Sequence, residues 1–222
     1  MSKLLTLGIA VLITVIIVVL LAVSGYNRLV RLSQGTDSQW AQVQNVYQRR
    51  ADLIPNLVQT VTGAANFEKS TLTEITNARA SVGQVKVDPT AAPTDPAQLA
   101  AFDQAQAALT SALSRLLVVV ERYPELRSNE NFLNLQAQLE GTENRISVER
   151  GKFNTTVQQY NTAVRSFPSV LYAGVFGFRE KPYFSGTPQA QAPPGVQFDF
   201  GAGGAGGRTT PGAPTTAPAG AR

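Results

Sequence analysis

The chain has 222 residues and neither cysteine nor histidine, which excludes disulfides, thiolate zinc sites and catalysis by a cysteine or a serine–histidine pair. Its net charge of +4 does not form a basic patch, because positions 24–185 carry 16 basic and 14 acidic residues with the two signs interleaved. Nucleic-acid binding requires a clustered basic stripe, so we expect no nucleic acid among the partners.

The first predicted element is a membrane-spanning helix. Positions 4–23 are apolar apart from two threonines and one glycine, and twenty residues at the helical rise cover about 30 Å, the thickness of the hydrocarbon core of a bilayer. A cleaved signal peptide is the competing interpretation, but its apolar stretch is shorter, at about 7–15 residues. We therefore assign residues 1–24 to a transmembrane anchor.

The charges that flank this span favour a cytoplasmic soluble domain by a small margin. Lys3 and the α-amino group lie before the span, whereas the juxtamembrane basic residues Arg28 and Arg31 follow it. Basic residues next to a span are enriched on the cytoplasmic side. The prediction is a single-pass protein of the inner cell membrane.

An amphipathic helix is predicted after the anchor. Asp37 would serve as its N-cap, and its apolar stripe runs from Trp40 to Val61. Pro55 lies inside this pattern and lacks the N–H that a helix needs, so we expect a kink or a helix restart near Asp52. The Trp40 side chain is expected in the core, with its indole N–H bonded to a carbonyl.

Two further helices are predicted at about residues 70–85 and 97–122, each with apolar residues on one face. Positions 87–96 between them are rich in proline and in small or polar residues. We expect this linker to be exposed and tolerant of changes in length.

The last predicted helix is the longest. Its apolar residues recur at the 3.5-residue spacing of a helix packed along its neighbours. Ser128 or Asn129 would cap its start, and Pro168 cannot extend the hydrogen-bond ladder and ends it.

These elements predict an all-α fold. An N-terminal transmembrane helix is followed, over residues 25–185, by an elongated antiparallel bundle of about four long helices. Residues 186–222 are rich in glycine, proline, alanine and threonine, cannot bury a core, and are expected to be mostly disordered.

An aromatic segment follows Pro168 and supplies the candidate surface residues. The favoured interpretation is an extension whose aromatic side chains pack back on the bundle, because isolated apolar surface is costly. The alternative is a surface for a protein partner or for the membrane interface. The candidate residues are Tyr172, Phe176, Phe178, Tyr183 and Phe184.

Several blocks of sequence support a family resemblance. They lie at 49–58 (RRADLIPNLV), 123–132 (YPELRSNENF), 139–146 (LEGTENRI), 160–161 (YN), 167–168 (FP), 177–184 (GFREKPYF) and 196–200 (VQFDF). In these blocks the chain resembles the LemA family of bacterial membrane proteins over about residues 20–200. The linker at 87–96 and the tail after Gly201 depart from the family pattern.

The resemblance implies an N-terminal membrane helix, an all-helical soluble domain and a large domain in the cytoplasm. It also implies partnership with membrane zinc metalloproteases and other envelope quality-control proteins. It implies no particular chemical activity.

No group of residues predicts a catalytic site. Glu140, Glu143 and Glu149 could be ligands of a carboxylate metal site, but bundles build such sites with Glu-x-x-His motifs, so we expect a solvated face with ion pairs to Arg145 and Arg150.

A second cluster of charges precedes the proline of the first amphipathic helix. Arg49 and Arg50 could hold an anionic partner, but a local ion pair between one of them and Asp52 is favoured.

The sequence therefore predicts a membrane-anchored helical scaffold that is not an enzyme, needs no cofactor or metal, and acts through protein partners or self-association. One alternative is a protein that remodels membranes or binds lipid surfaces. The other is a carboxylate-based metal- or ligand-binding module.

Overall fold

The computed structural model describes residues 2–63 and 67–185, with side chains from Leu4 onwards. The regular elements of this part of the chain are helical, as predicted, and the tail at 186–222 lies outside the described residues. The helices are α1 (Ser2–Thr62), α2 (Lys69–Gln84), α3 (Pro96–Val120), the single turn α4 (Pro124–Arg127) and α5 (Glu130–Arg165), followed by a 3-10 turn at Ser169–Leu171.

Helix α1 joins the candidate membrane span to the bundle without a break. Residues 4–23 are exposed on all sides and form one helix long and apolar enough to cross a membrane. From Leu29 onwards one face of the same helix is buried. The expected N-cap at Asp37 is therefore wrong, because this residue lies in the middle of the helix.

The helix also continues through Pro55, so of the kink or restart expected near Asp52, the restart is wrong. A proline inside a helix leaves the carbonyl four residues earlier without its donor. That carbonyl, of Ala51, accepts a hydrogen bond from Nε of Arg79 in α2 at 3.3 Å. A side chain from a neighbouring helix thus replaces the missing N–H.

Helix ends follow local chemistry. The Asn129 side chain accepts the N–H of Phe132 at 3.1 Å and caps α5, and the Asp95 side chain caps α3. Helix α5 ends at Arg165, before Pro168. Helix α1 packs antiparallel along α5, and α2 packs antiparallel along α3.

The core has three successive parts along the bundle. The distal core, farthest from residues 4–23, is largely aliphatic and joins α1, α2, α3 and α5 around Leu57, Ile75 and Leu116. The middle core is aromatic, around Trp40, Phe102 and Phe153. The proximal core lies next to the candidate span and contains Leu29, Tyr160, Ala163, Val164 and Ala173.

The linker between α2 and α3 is more constrained than expected. The Trp40 indole N–H donates to the Asp88 carbonyl at 2.8 Å, which confirms the predicted type of partner. The Asp37 carboxylate accepts the backbone N–H of Ala92 at 3.0 Å, and Ala92 is buried. Two hydrogen bonds from α1 therefore hold a segment that was predicted to be exposed.

Candidate functional site

A buried arginine lies between the two helical pairs. Arg50 of α1 is only 2% exposed. Its Nη1 donates to Glu143 Oε2 of α5 at 2.9 Å and to Thr110 Oγ1 of α3 at 2.9 Å. Its Nη2 donates to the side-chain oxygen of Gln106, whereas Nε has no partner in the described part of the chain. One guanidinium thus ties together three helices.

This network corrects the ion pairs predicted from sequence. Asp52 accepts from Gln48 at 2.8 Å, one turn away, rather than from Arg49 or Arg50. Arg50 lies two positions from Asp52 and therefore on a different face of the helix. Glu143 pairs with Arg50 in α1 instead of with an arginine of α5. Arg150 pairs with Asp103 of α3 at 2.8 Å.

A cavity of about 130 Å³ adjoins the buried arginine. Its walls are mainly apolar, and its polar groups come from Arg50, Glu143 and a few neutral or acidic side chains. The remaining lining residues are Leu57, Thr110, Leu113, Ser114, Leu117, Gln136, Leu139 and Glu140. The cavity is large enough for a few water molecules or a small ligand.

The carboxylates proposed as metal ligands have separate partners. Glu140 accepts from Gln136 at 3.0 Å. Hydrogen bonds from Lys152 and Gln39 lower the pKa of Glu149. Within residues 2–63 and 67–185, no three side chains of types that bind metals come together.

Residues 178–185 form an extended strap along α1 and α5, and two asparagines of α5 hold it. The Asn161 amide donates to the Lys181 carbonyl at 2.8 Å and accepts the Lys181 N–H at 2.9 Å. Two helical turns earlier, Asn154 makes the same pair of bonds with Phe184, at 3.0 and 2.9 Å. Each amide side chain thus imitates the backbone of a neighbouring strand.

An ion pair fixes the strap to α1. The Lys181 ammonium is almost fully buried and donates to Asp37 Oδ1 at 2.5 Å and to Ser33 Oγ at 3.4 Å. It also lies 5.3 Å from the ring centre of Tyr160. Burial raises the pKa of Tyr160, and the negative charge of Asp37 raises it further.

The predicted surface aromatics have different environments. Phe184 is only 4% exposed, because it stacks on Trp40 at 6.0 Å and meets Phe153 edge-on at 5.4 Å. It belongs to the middle core, so its assignment to a partner surface is corrected. Tyr172 and Phe178 are half-buried, whereas Phe176 and Tyr183 are exposed.

Tyr172, Phe176 and Phe178 gather beside the start of the buried part of α1. The Tyr26 ring lies 5.2 Å from Phe176 and 5.5 Å from Phe178, both edge-on. The Tyr172 phenol is so close to Gly25 that a Cβ at this glycine would overlap it. The predicted juxtamembrane residues Arg28 and Arg31 are exposed on the next turns of α1.

The roles of Asn154, Lys181 and Asp37 were not predicted. Asn161 and Lys181 fall in blocks that carry the family resemblance, which was the available signal for them. Asn154 lies outside those blocks. No periodic pattern in the sequence shows that a polar residue on a helix binds the backbone of a distant segment.

Comparisons with known proteins give a family and several relatives. The profile of the LemA family matches residues 39–198. Similar curated proteins include the magnetosome protein MamQ of Magnetospirillum gryphiswaldense, 27% identical over 183 residues that cover 76% of this chain and 67% of that protein. The magnetosome protein MamQ 1 of Paramagnetospirillum magneticum is 26% identical with the same coverage.

A further relative carries the family name. Protein LemA of Metamycoplasma hominis is 25% identical over 146 residues, which cover 66% of this chain and 59% of that protein.

Proposed function

The chain belongs to the LemA family, and from that premise we propose that it is a non-enzymatic, membrane-anchored helical scaffold that acts through protein contacts. The observation that carries the proposal is the continuity of α1, whose first part is exposed and apolar and whose second part is built into the core. Because the helix is continuous, it fixes the position of the bundle, and of any partner bound to the bundle, relative to the candidate span.

The dimensions suit a scaffold. Helix α5 has 36 residues, which at the helical rise correspond to about 54 Å. Because α5 packs antiparallel along α1, the bundle extends this far beyond the candidate span. Partners could therefore be placed at defined heights above a membrane.

We propose protein partners of the bacterial envelope, with membrane zinc metalloproteases and quality-control proteins as the first classes to test, and self-association of the bundle as an alternative. The support is the family resemblance rather than a contact in the structure. Similar proteins are named magnetosome proteins, which is consistent with a component of a larger assembly.

The test is photo-cross-linking of the full chain in its native membrane. A photoreactive residue replaces Val118 or Val148, two exposed apolar residues on the sides of α3 and α5. The proposal predicts discrete protein adducts, identified by mass spectrometry, at one of these positions. A position on the same helix with a polar, exposed residue, Ser147, is the matched control for random collisions.

Cross-linking to lipid alone at every position would contradict the scaffold. A stoichiometric metal ion in the purified protein, lost in Glu143→Gln, would also overturn it.

We propose that the bundle lies on the cytoplasmic side of an inner membrane. Arg28 and Arg31 are exposed directly after the candidate span, and basic residues there favour this side. The test is a reporter protein, active only in the cytoplasm, fused after Arg222. We expect this fusion to show reporter activity. Activity of a periplasm-specific reporter at the same position would place the bundle outside.

A second candidate function, ligand binding, is supported by the cavity beside Arg50. Arg50 contributes to the wall of this cavity, and the rest of the wall is mostly apolar. A small organic acid would suit such a site. Thermal stabilisation of the protein by short-chain carboxylic acids, abolished in Arg50→Met, would favour this function over the scaffold.

A further inference from the structure

We propose that the loop between α5 and the strap is a second membrane contact, which inserts apolar side chains into the interface of the bilayer that α1 spans. This proximal loop consists of residues 166–178. The inference rests on the membrane anchor of the proposed function and adds a lipid-binding surface to it. Four observations support it.

The first observation is the position of the loop. Antiparallel packing of α5 returns the chain towards the candidate span, and the loop that follows α5 contacts Gly25 and Tyr26. These residues directly follow the apolar positions 4–23, which alone match the thickness of the hydrocarbon core. The proximal loop therefore lies where α1 leaves the membrane.

The second observation is the exposure of its side chains. Five large apolar residues of the loop are 54–84% exposed: Phe167, Val170, Leu171, Val175 and Phe176. Single exposed apolar residues are ordinary, but a cluster within ten positions marks an interaction surface. The sequence from 167 to 178 contains no charged residue, so the whole loop is compatible with an apolar environment.

The third observation is that much of the loop's backbone is hydrogen-bonded within the loop. The N–H groups of Val170, Leu171, Tyr172, Ala173, Phe176 and Phe178 all donate to carbonyls of residues 166–174. Gly177, at φ +80°, permits the final turn. Backbone N–H groups that are already hydrogen-bonded lower the cost of entering a membrane interface.

The fourth observation is the rigid attachment of the loop. Ala173 is buried in the proximal core beside Leu29 and Tyr160, and Tyr172 and Phe178 pack against it. The exposed residues are therefore presented on a fixed support. Tyr26 and Tyr172, at the same level, are of the amphipathic type that is enriched at membrane interfaces.

The charges around the loop fit a lipid surface. Arg28, Arg31 and Arg179 are exposed, and within the described chain none of them has a carboxylate partner. Basic residues beside a membrane are attracted to anionic headgroups. Lipid accounts for both the apolar cluster and its basic surroundings, and contact at two points would fix the tilt of the bundle.

The experiment measures lipid contact at defined positions of the full chain. Since the sequence has no cysteine, the single variants Leu171→Cys and Val175→Cys can be labelled specifically with an environment-sensitive fluorophore. The labelled protein is reconstituted in vesicles of phosphatidylcholine and phosphatidylglycerol. Quenching by nitroxide lipids and by aqueous iodide is then compared.

Leu133→Cys is the matched control, because Leu133 is an exposed leucine at the other end of α5. We expect several-fold stronger nitroxide quenching at positions 171 and 175 than at 133, and weaker iodide quenching. Equal quenching at all three positions would overturn the proposal. Protection from iodide without nitroxide quenching would also overturn it, because a protein partner or second copy would then cover the loop.

A probe in the candidate span distinguishes failure of the loop proposal from failure of the membrane anchor. Val15→Cys should be quenched by nitroxide placed deep in the bilayer. If this probe is quenched and the loop probes are not, only the loop proposal fails. If the Val15 probe is not quenched either, the membrane anchor itself fails.

Gly25→Val in the Leu171→Cys background tests the support of the loop. The added side chain must displace the Tyr172 phenol, so nitroxide quenching at position 171 should fall while a Val15 probe is unchanged. Circular dichroism checks that the bundle remains folded. Unchanged quenching at 171 with an intact fold would show that the geometry beside Gly25 does not set lipid contact.

Discussion

The distal and middle parts of the bundle are held together by different means. The distal core is built mainly from aliphatic side chains that helices contribute at regular spacing. The middle core is aromatic, and it includes residues from the linker and the strap as well as from helices. Periodic stripes suffice to join helices, whereas irregular segments need polar side chains that fix their backbones at particular points.

The largest expected difference follows from removing the centre of the middle core. Trp40 is fully buried and contacts Phe102, Phe153 and Phe184 at 5.5–6.0 Å between ring centres. Trp40→Ala should lower the free energy of unfolding by about 3–5 kcal/mol. Circular dichroism of the full chain in micelles during urea unfolding measures this loss.

Trp40→Phe retains much of the ring contact but loses the hydrogen bond to Asp88. It should cost less than Trp40→Ala, and part of its effect should be a looser linker, detected by hydrogen exchange around residues 88–92. A loss for Trp40→Ala no greater than that for the exposed Val148→Ala would contradict the central role of the tryptophan.

The next prediction concerns the arginine at the border between the two parts. Glu143→Leu removes the carboxylate partner of the nearly inaccessible Arg50 charge and should cost about 1–3 kcal/mol. The double variant Arg50→Met/Glu143→Leu should recover part of this loss, because no unpaired buried charge remains. Urea unfolding of both single variants and the double variant gives the coupling.

A double variant as unstable as the sum of the two single variants would show that the ion pair does not couple the helices. Glu140→Leu, which removes an exposed carboxylate on the same helix, is the control and should have little effect.

Sequence patterns predicted the helices better than their connections. The start of α5 at an asparagine cap and its end before Pro168 follow from groups within a few residues. The restart near Asp52 was wrong because the compensating donor, Arg79, lies in another helix. Aspartate is a residue type that often caps helices, but the carboxylate of Asp37 binds Lys181, which lies 144 positions later in the chain.

The burial of the aromatic segment after Pro168 was predicted only in part for the same reason. A run of aromatic residues after Pro168 indicated either packing on the bundle or a surface, and the structure contains both buried and exposed side chains in this segment. Phe184 is buried because Asn154 holds its backbone over the aromatic core. Phe176 is exposed although its ring meets Tyr26 of α1 edge-on. Neither contact has a local signal in the sequence.

A smaller effect is expected from the asparagines that hold the strap. Asn161→Ala and Asn154→Ala each remove two hydrogen bonds to the strap backbone, and each should cost about 1–2 kcal/mol. Hydrogen exchange at Lys181 or Phe184 should accelerate accordingly. Asn144→Ala, an exposed asparagine on the same helix, is the control and should leave the strap unchanged.

The smallest expected effect tests the exposed edge of the strap. Arg165, in the last turn of α5, donates from Nε to Glu180 Oε1 at 2.7 Å, and this hydrogen bond holds the pKa of Glu180 below its usual value. A lowered carboxyl pKa means that the pair contributes stability above the unfolded pKa of about 4.3, and that this contribution is lost as the pH falls through the lower folded pKa. Both side chains are exposed, so solvent and salt screen the pair.

An NMR titration of the Glu180 carboxyl should therefore show a depressed midpoint that returns to the ordinary value in Arg165→Gln, while Asn161 continues to hold the strap at Lys181. If Arg165→Gln instead released Lys181 from Asn161, the charged edge rather than the buried amides would hold the strap in place.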